Sequence, residues 1–237
     1  MERFFVDCHA HALPAGDDGA QTLADGRALA ESAARHGTAI LFATPHVWPH
    51  LRLTEDRERA IRSTYAELKP RVPLELRLGF ELTPTRALLR EDPRRYALEG
   101  TACVLMETLF EGSLDAVVAL AEHIEAHGLR PVIAHPERAD VVLGDPRRAG
   151  ELADRGWPLQ VNATSLTGWH GPEIEALAWR LVDDRQASLV ASDGHRAERP
   201  AHLDAAFAAV AARLSERDAV PLFDGSALGL TRAAAAA

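Results

Sequence analysis

The chain has little cysteine: two residues in 237, Cys8 and Cys103. Both sit in apolar, strand-like runs and read as buried free thiols. They build no disulfide framework, so a reducing compartment is the default. Neither is followed six positions later by arginine, since those positions hold Pro14 and Leu109. That counts against a thiolate phosphatase built on a cysteine-arginine phosphate loop. No apolar stretch is long enough to span a bilayer, and MERFFVDCHAH lacks a signal-peptide plan. The expectation is a cytoplasmic chain that is not an integral membrane protein. Basic charge is also short: 26 Lys and Arg stand against 35 acids, for a formal charge of -9. Phosphate backbones need a basic footprint, so nucleic acid is not expected as a partner. A local cationic site for one phosphate stays open. No linker, repeat or low-complexity segment divides the chain, and the AAAAA at 233–237 reads as a frayed end or tail. The length fits one domain over 1–237, with enough chain to bury a core without staples.

What is present is alternation. Apolar β-like runs begin with FFVDC and continue at 38–43, 74–79, 102–107, 130–134, 158–162 and 187–192. Helical patterns lie between them. TLADGRALAESAARHG ends in Gly37, and TEDRERAIRSTYAELK offers Thr54 as N-cap. A short helix is expected near 84–91. SLDAVVALAEHIEAHG offers Ser113 as cap, and DPRRAGELADRG and GPEIEALAWRLVDD follow. HLDAAFAAVAARLSER reads as one long final helix. Seven alternating units with continuously apolar strands favour a parallel, barrel-like sheet covered on both faces. An open doubly wound sheet is the alternative.

Nine potential metal ligands fall at the ends of these runs: His9, His11, Asp18, His46, Glu81, Glu107, His135, Asp193 and His195. Barrel active sites gather at the C-terminal ends of strands. In DCHAH, alternation puts Asp7, His9 and His11 on one side of a strand, where two imidazoles can grip one ion beside a carboxylate. Singly, each motif has a plainer explanation. H-x-H can cap a strand, Asp17-Asp18-Gly19 can be a turn, and SDGH can be an N-cap. Glu107, flanked by Val104, Leu105 and Met106, needs a metal or an arginine if buried. Jointly they favour a metal site, because each falls at the same point of successive units. The set holds oxygen and nitrogen but no thiolate, which suits Mn, Fe, Zn or Mg. Nine ligands exceed one ion, so two or three are implied. Clustered ions suit in-line phosphoryl displacement, and Arg138 and Arg199 lie close in sequence to the ligands, where guanidinium forks suit phosphate oxygens.

DCHAHALPAGDDG, ATPH, GFE, AHPER and SDGH, in this order, resemble the polymerase and histidinol phosphatase (PHP) superfamily. They are most similar to its bacterial protein-tyrosine phosphatase branch, associated with capsule and exopolysaccharide synthesis. The match runs from Asp7 to about Pro200. The resemblance implies a distorted (β/α)7 TIM-like barrel with a trinuclear centre, often manganese. By motif position, His9, His11, Glu81 and Asp193 would hold one ion. Glu81, Glu107 and His135 would hold a second, and Asp18, His46 and His195 a third. Asp7 would orient a ligand histidine, and Arg138 would bind substrate phosphate. The family often has a further arginine five residues after the last histidine. Here that position is Pro200, with Arg199 one earlier.

The function implied is a metal-dependent protein-tyrosine phosphatase whose partner is a phosphotyrosine protein, the tail of a bacterial tyrosine autokinase. Two alternatives remain: a small-molecule phosphomonoesterase such as histidinol phosphatase, and a non-catalytic metal-binding scaffold. The DDG and TPH motifs weigh against the first, and the complete ligand set against the second. Trp48 and Trp169 lie in loops where a rim contact to substrate can form, although core packing is the commoner fate of such residues.

Overall fold

A computed structural model describes residues 4–230; the alanine run at 233–237 lies outside the described residues. Nine strands alternate with helices: β1 (Phe5–Ala10), β2 (Thr38–Ala43), β3 (His46–Val47), β4 (Glu75–Leu78), β5 (Glu81–Leu82), β6 (Cys103–Glu107), β7 (Arg130–Ala134), β8 (Leu159–Asn162) and β9 (Ala187–Ala191). All their pairings are parallel, with β1-β2-β4 in one sheet and β3-β5-β6-β7-β8-β9 in another. The two sheets are one wall. β2 runs on into β3 across Thr44-Pro45, and β4 into β5 across Gly79-Phe80. The expected seven strand positions are therefore present, two of them broken in the middle.

The helices are α1 (Leu23–Arg35), α2 (Glu55–Leu68), α3 (Asp115–Ala126), α4 (Asp140–Gly144), α5 (Arg147–Ala153), α6 (Ala163–Leu166), α7 (Pro172–Asp183), α8 (Asp204–Arg213) and α9 (Glu216–Ala219). Thr22 and Asp25 form a capping box at the start of α1, and Thr54 caps α2 as expected. Three expectations need correction. The segment near 84–91 makes only a 3-10 turn at Leu88–Arg90. Leu114, not Ser113, is the N-cap of α3. The long final helix stops at Arg213, because the Ser215 hydroxyl accepts from the Asp218 amide and caps a separate α9.

Strand alternation divides the apolar residues. Leu41, Ala43, Val104, Met106, Ile133, Val161 and Val190 join the large cluster shared with the helices. The opposite parity, including Ile40, Phe42, Leu105, Val132 and Leu189, forms a second cluster with both free cysteines. Leu228 and Leu230 of the C-terminal segment complete it.

The fold is a distorted barrel, and its distortion is at the seam. β1 and β9 share no full ladder. They meet at their C-terminal ends, where the Asp193 amide donates to the His9 carbonyl at 2.9 Å and the His11 amide to the Gly194 carbonyl at 2.7 Å. Nearer the start of β1, the Val6 amide donates instead to the Phe223 carbonyl at 2.8 Å. The seam is thus tightest at the mouth, where the candidate ligands lie.

Candidate metal centre

Each candidate side chain is set by a strand end. His9 lies in β1 with His11 just past it, His46 opens β3, Glu81 opens β5, Glu107 ends β6, and His135 follows β7. Asp193 and His195 follow β9. His135 and Asp193 have φ of 38° and 53°, two of three non-glycine residues with positive φ among the described residues. Such backbone costs about 1–3 kcal/mol and persists where surroundings over-determine it. Here it turns both side chains back into the mouth.

His9, His11 and Asp193 form one group of converging donors, and Glu81 lies beside the two imidazoles. His9 Nε2 lies 3.2 Å from His11 Nε2. Glu81 Oε2 is 3.1 Å and 3.3 Å from these two nitrogens, and Asp193 Oδ1 is 3.4 Å from each. Ligands sharing an ion with bonds of about 2.0–2.1 Å sit about 3.3–3.4 Å apart when tetrahedral, a spacing that the His9, His11 and Asp193 atoms match. A second group joins His9, Glu81 and His135, and a third joins His11, Asp18, His46 and His195. Glu81 links the groups, with Oε1 3.0 Å from His135 Nε2 and Oε2 2.9 Å from His46 Nδ1. Asp18 Oδ1 is 3.5 Å from His46 Nε2 and 3.4 Å from His195 Nε2.

Buried salt bridges alone do not satisfy this cluster. His11 Nδ1, His46 Nδ1, His135 Nδ1 and Glu81 Oε2 are buried without a hydrogen-bond partner. Each such atom costs about 1–3 kcal/mol if left unpaired, and a cation would serve Glu81 Oε2, which lies 3.1 Å and 3.3 Å from the Nε2 atoms of His9 and His11. The donor chemistry fits oxygen- and nitrogen-preferring divalent ions.

The charges agree with a cation-ready site. Burial alone would raise the Asp193 and Glu81 carboxyls. Asp193 is instead held well below the usual range by His9, His11 and Arg199, and Glu81 by His46, His9 and His11. Glu107 behaves differently: burial, reinforced by the Glu81 charge, pushes it up to about 8. It falls outside the three groups, and its Oε1 accepts from the Thr83 hydroxyl.

Around these atoms lies a polar frame that the motifs do not announce. Gln160 Oε1 holds His9 Nδ1 at 2.9 Å, and its amide nitrogen donates to Asn162 Oδ1 at 2.8 Å. Asn162 donates in turn to Asp193 Oδ2 at 2.8 Å. Their sequence signal was two polar residues of one parity within the apolar run PLQVN. Asp17, buried beside the half-exposed Asp18, accepts from the His46 amide at 2.9 Å. Asp7 does not orient a ligand ring, contrary to expectation. Its Oδ1 accepts from the backbone amide of Ser192 at 3.0 Å, across the β1–β9 seam, and from that of His9 at 3.3 Å, within β1. The reason is direction: in the distorted β1 it points at the neighbouring strand, and Gln160 from β8 reaches the ring instead.

Both candidate arginines reach the mouth. Arg138 Nη1 donates to Asp193 Oδ2 at 3.0 Å, and Arg199 Nη2 donates to the same oxygen. Arg199 is carried by a tight turn in which the His195 amide donates to the Arg199 carbonyl at 2.8 Å. Two guanidinium groups on one carboxylate oxygen leave donors free to face an anion. Trp48 stacks on His46 with ring centres 4.3 Å apart, while Trp169 is 59% exposed.

Comparison with known proteins follows the same lines. The model of the family "Capsular polysaccharide synthesis, CpsB/CapC" matches residues 5–227. The tyrosine-protein phosphatase YwqE of Bacillus subtilis (strain 168) is 32% identical over 195 residues, covering 80% of this chain and 77% of the relative. A crystal structure of YwqE from Bacillus subtilis and CpsB from Streptococcus pneumoniae, described as metal-dependent tyrosine phosphatases, aligns with a TM-score of 0.83 and 28% identity. It covers 92% of this chain and 90% of that one. The phosphotriesterase homology protein of Escherichia coli shares the fold alone, at TM-score 0.58 and 10% identity.

Proposed function

The chain belongs to the CpsB/CapC family of capsular polysaccharide synthesis, and from that membership we propose that it is a metal-dependent protein-tyrosine phosphatase. The single observation that carries this is the clustering of His9, His11 and Asp193, with Glu81 against both imidazoles, beside Arg138 and Arg199. The finer proposal is two or three divalent ions, manganese first among them. His9, His11, Glu81 and Asp193 would hold one ion, Glu81 and His135 with Glu107 a second, and Asp18, His46 and His195 a third. Its partner would be the phosphotyrosine tail of a bacterial tyrosine kinase. The chain would act in the cytoplasm as one domain over 1–237.

When bound, such ions lower the pKa of water and neutralise charge on phosphoryl oxygens. The chain supplies the rest. Arg138 and Arg199 bind the non-bridging phosphoryl oxygens and hold phosphorus at the mouth. Asp193 fixes both guanidinium groups, so little reorganisation remains at the moment of transfer. Gln160 and Asn162 lock His9 and Asp193 in place. The bond broken joins phosphorus to a phenolic oxygen of pKa about 10, a better leaving group than an alkoxide.

The test is the initial rate on a phosphotyrosine peptide with chelated enzyme, followed by Mn titration. Activity should appear only with metal, and His135→Ala should abolish it. Full activity in chelator, or in His135→Ala, would sink the proposal. Faster turnover of histidinol phosphate than of the peptide would favour the small-ester alternative.

A further inference from the structure

We propose that Phe110 is the residue that selects an aromatic leaving group at this site, an inference that rests on the phosphatase proposal above. Phe110 follows β6 and is 46% exposed, one of three large exposed hydrophobic residues among the described residues. An isolated exposed aromatic needs no explanation, but the surroundings of this one are unusual. Its ring stacks on His135 with centres 5.8 Å apart and planes at 21°. The guanidinium carbon of Arg138 lies 4.7 Å from the same ring centre. Phe110 therefore touches both a metal-ligand candidate and the phosphate-binding arginine while nearly half of it is exposed.

The backbone of Phe110 is also tied down. The Asp140 amide, at the start of α4, donates to the Phe110 carbonyl at 2.8 Å. Arg138 is anchored in turn by Asp193 at 3.0 Å. The loop after β6 and the HPER turn are thus tied together, and Phe110 cannot drift without pulling on Arg138's neighbours.

Geometry then assigns the ring its partner. A phosphoryl group bound by Arg138 places its ester oxygen outward, and the carbon skeleton attached to that oxygen leaves at the depth of Phe110. A phenyl ring there can stack on Phe110, whereas a serine or threonine stem is too short and has no flat face. Trp48 lies over the His46 imidazole at 4.3 Å. His46 and His135 in turn contact the two different oxygens of Glu81. Two aromatics thus back imidazoles on either side of the central carboxylate, and Phe110 is the one that also touches the arginine.

The experiment compares wild type, Phe110→Ala and Phe110→Tyr as metal-loaded enzymes. Aromatic contacts of this kind are worth a few-fold to about ten-fold in affinity. Phe110→Ala should raise KM for a phosphotyrosine peptide about ten-fold, with kcat within about two-fold. Phe110→Tyr should restore KM. Inhibition by inorganic phosphate should not change, because Arg138 keeps its Asp193 anchor. By calorimetry, wild type should bind phenylphosphonate more tightly than methylphosphonate, and Phe110→Ala should lose that preference. A phosphate inhibition constant weakened in step with KM would overturn the proposal, because Phe110 would then merely position Arg138. Equal wild-type affinity for the two phosphonates would overturn it whether or not the phosphatase proposal stands. Failure of wild type to hydrolyse the peptide would instead defeat the phosphatase proposal itself.

Discussion

Gln160 shows how much a residue outside every motif can carry. It is fully buried in β8 and is the group that holds the outer nitrogen of His9. Partners of metal-ligating histidines fix the ring and its tautomer, and their loss weakens metal binding about 10–100-fold. Gln160→Leu keeps the apolar volume and removes the acceptor. Metal titration monitored by calorimetry should show that loss, while the other ligands keep the site from vanishing. Unchanged affinity would mean that packing alone orients His9. Glu107 makes a second residue-scale point. Burial and the neighbouring Glu81 charge push its carboxyl up to about 8, so a cation beside it would favour its carboxylate form. His9, His11, His46, His135 and His195 were recognisable because histidine after an apolar run is conspicuous. Gln160 and Asn162 were not, because a polar residue inside a strand announces burial without saying what it faces.

Elements position these residues through close backbone approach. Helix α1 lies against the loop after β1 so tightly that a Cβ on Gly26 would sit 2.1 Å from the Ala12 carbonyl oxygen. Gly26→Ala should gain up to about 1 kcal/mol of helix propensity. It should lose more, since overpacking costs about 1–3 kcal/mol and a backbone oxygen cannot step aside as a side chain can. The net expectation is a melting temperature lowered by about 2–8 °C for a chain of this size, read by differential scanning calorimetry. A raised melting temperature would show that α1 can slide outward freely. Strand order and most helix bounds were legible from periodicity and caps: Thr54 and Gly37 mark ends in the sequence that the structure keeps. The breaks of β2 from β3 and β4 from β5 were not. Each break falls at a strand-interrupting residue, Pro45 and Gly79, but that the chain resumes the same wall beyond it is set by how the wall bends around the mouth.

At the scale of the whole molecule, the mouth collects buried carboxylates and imidazoles that the chain alone leaves partly unpaired. Ions that bind only the folded state stabilise it by about 2.7 kcal/mol at one hundred times Kd. Chelation should therefore lower the melting temperature by about 5–11 °C, and added Mn should restore it. An unchanged melting temperature would mean that the cluster is stable as a set of hydrogen bonds and ion pairs. The same scale explains the C-terminal segment. Phe223 packs on Phe5 and Phe207 with ring centres 5.9 and 5.4 Å apart, and its carbonyl takes the Val6 amide where a β1–β9 ladder is missing. Phe223→Ala should cost about 3–5 kcal/mol, measured by denaturant unfolding; a loss under about 1 kcal/mol would show that the segment is not needed to close the barrel.

The sequence by itself determined the barrel class, the strand positions and the nine candidate ligands, because periodicity and residue chemistry are local properties of a chain. Only the tertiary structure decided which donor atoms share a point, that Asp7 serves the β1–β9 seam, that Gln160 serves His9, and that Phe110 faces Arg138. Those are distances between residues up to 185 positions apart, set by how the strands twist and close and not by any one segment.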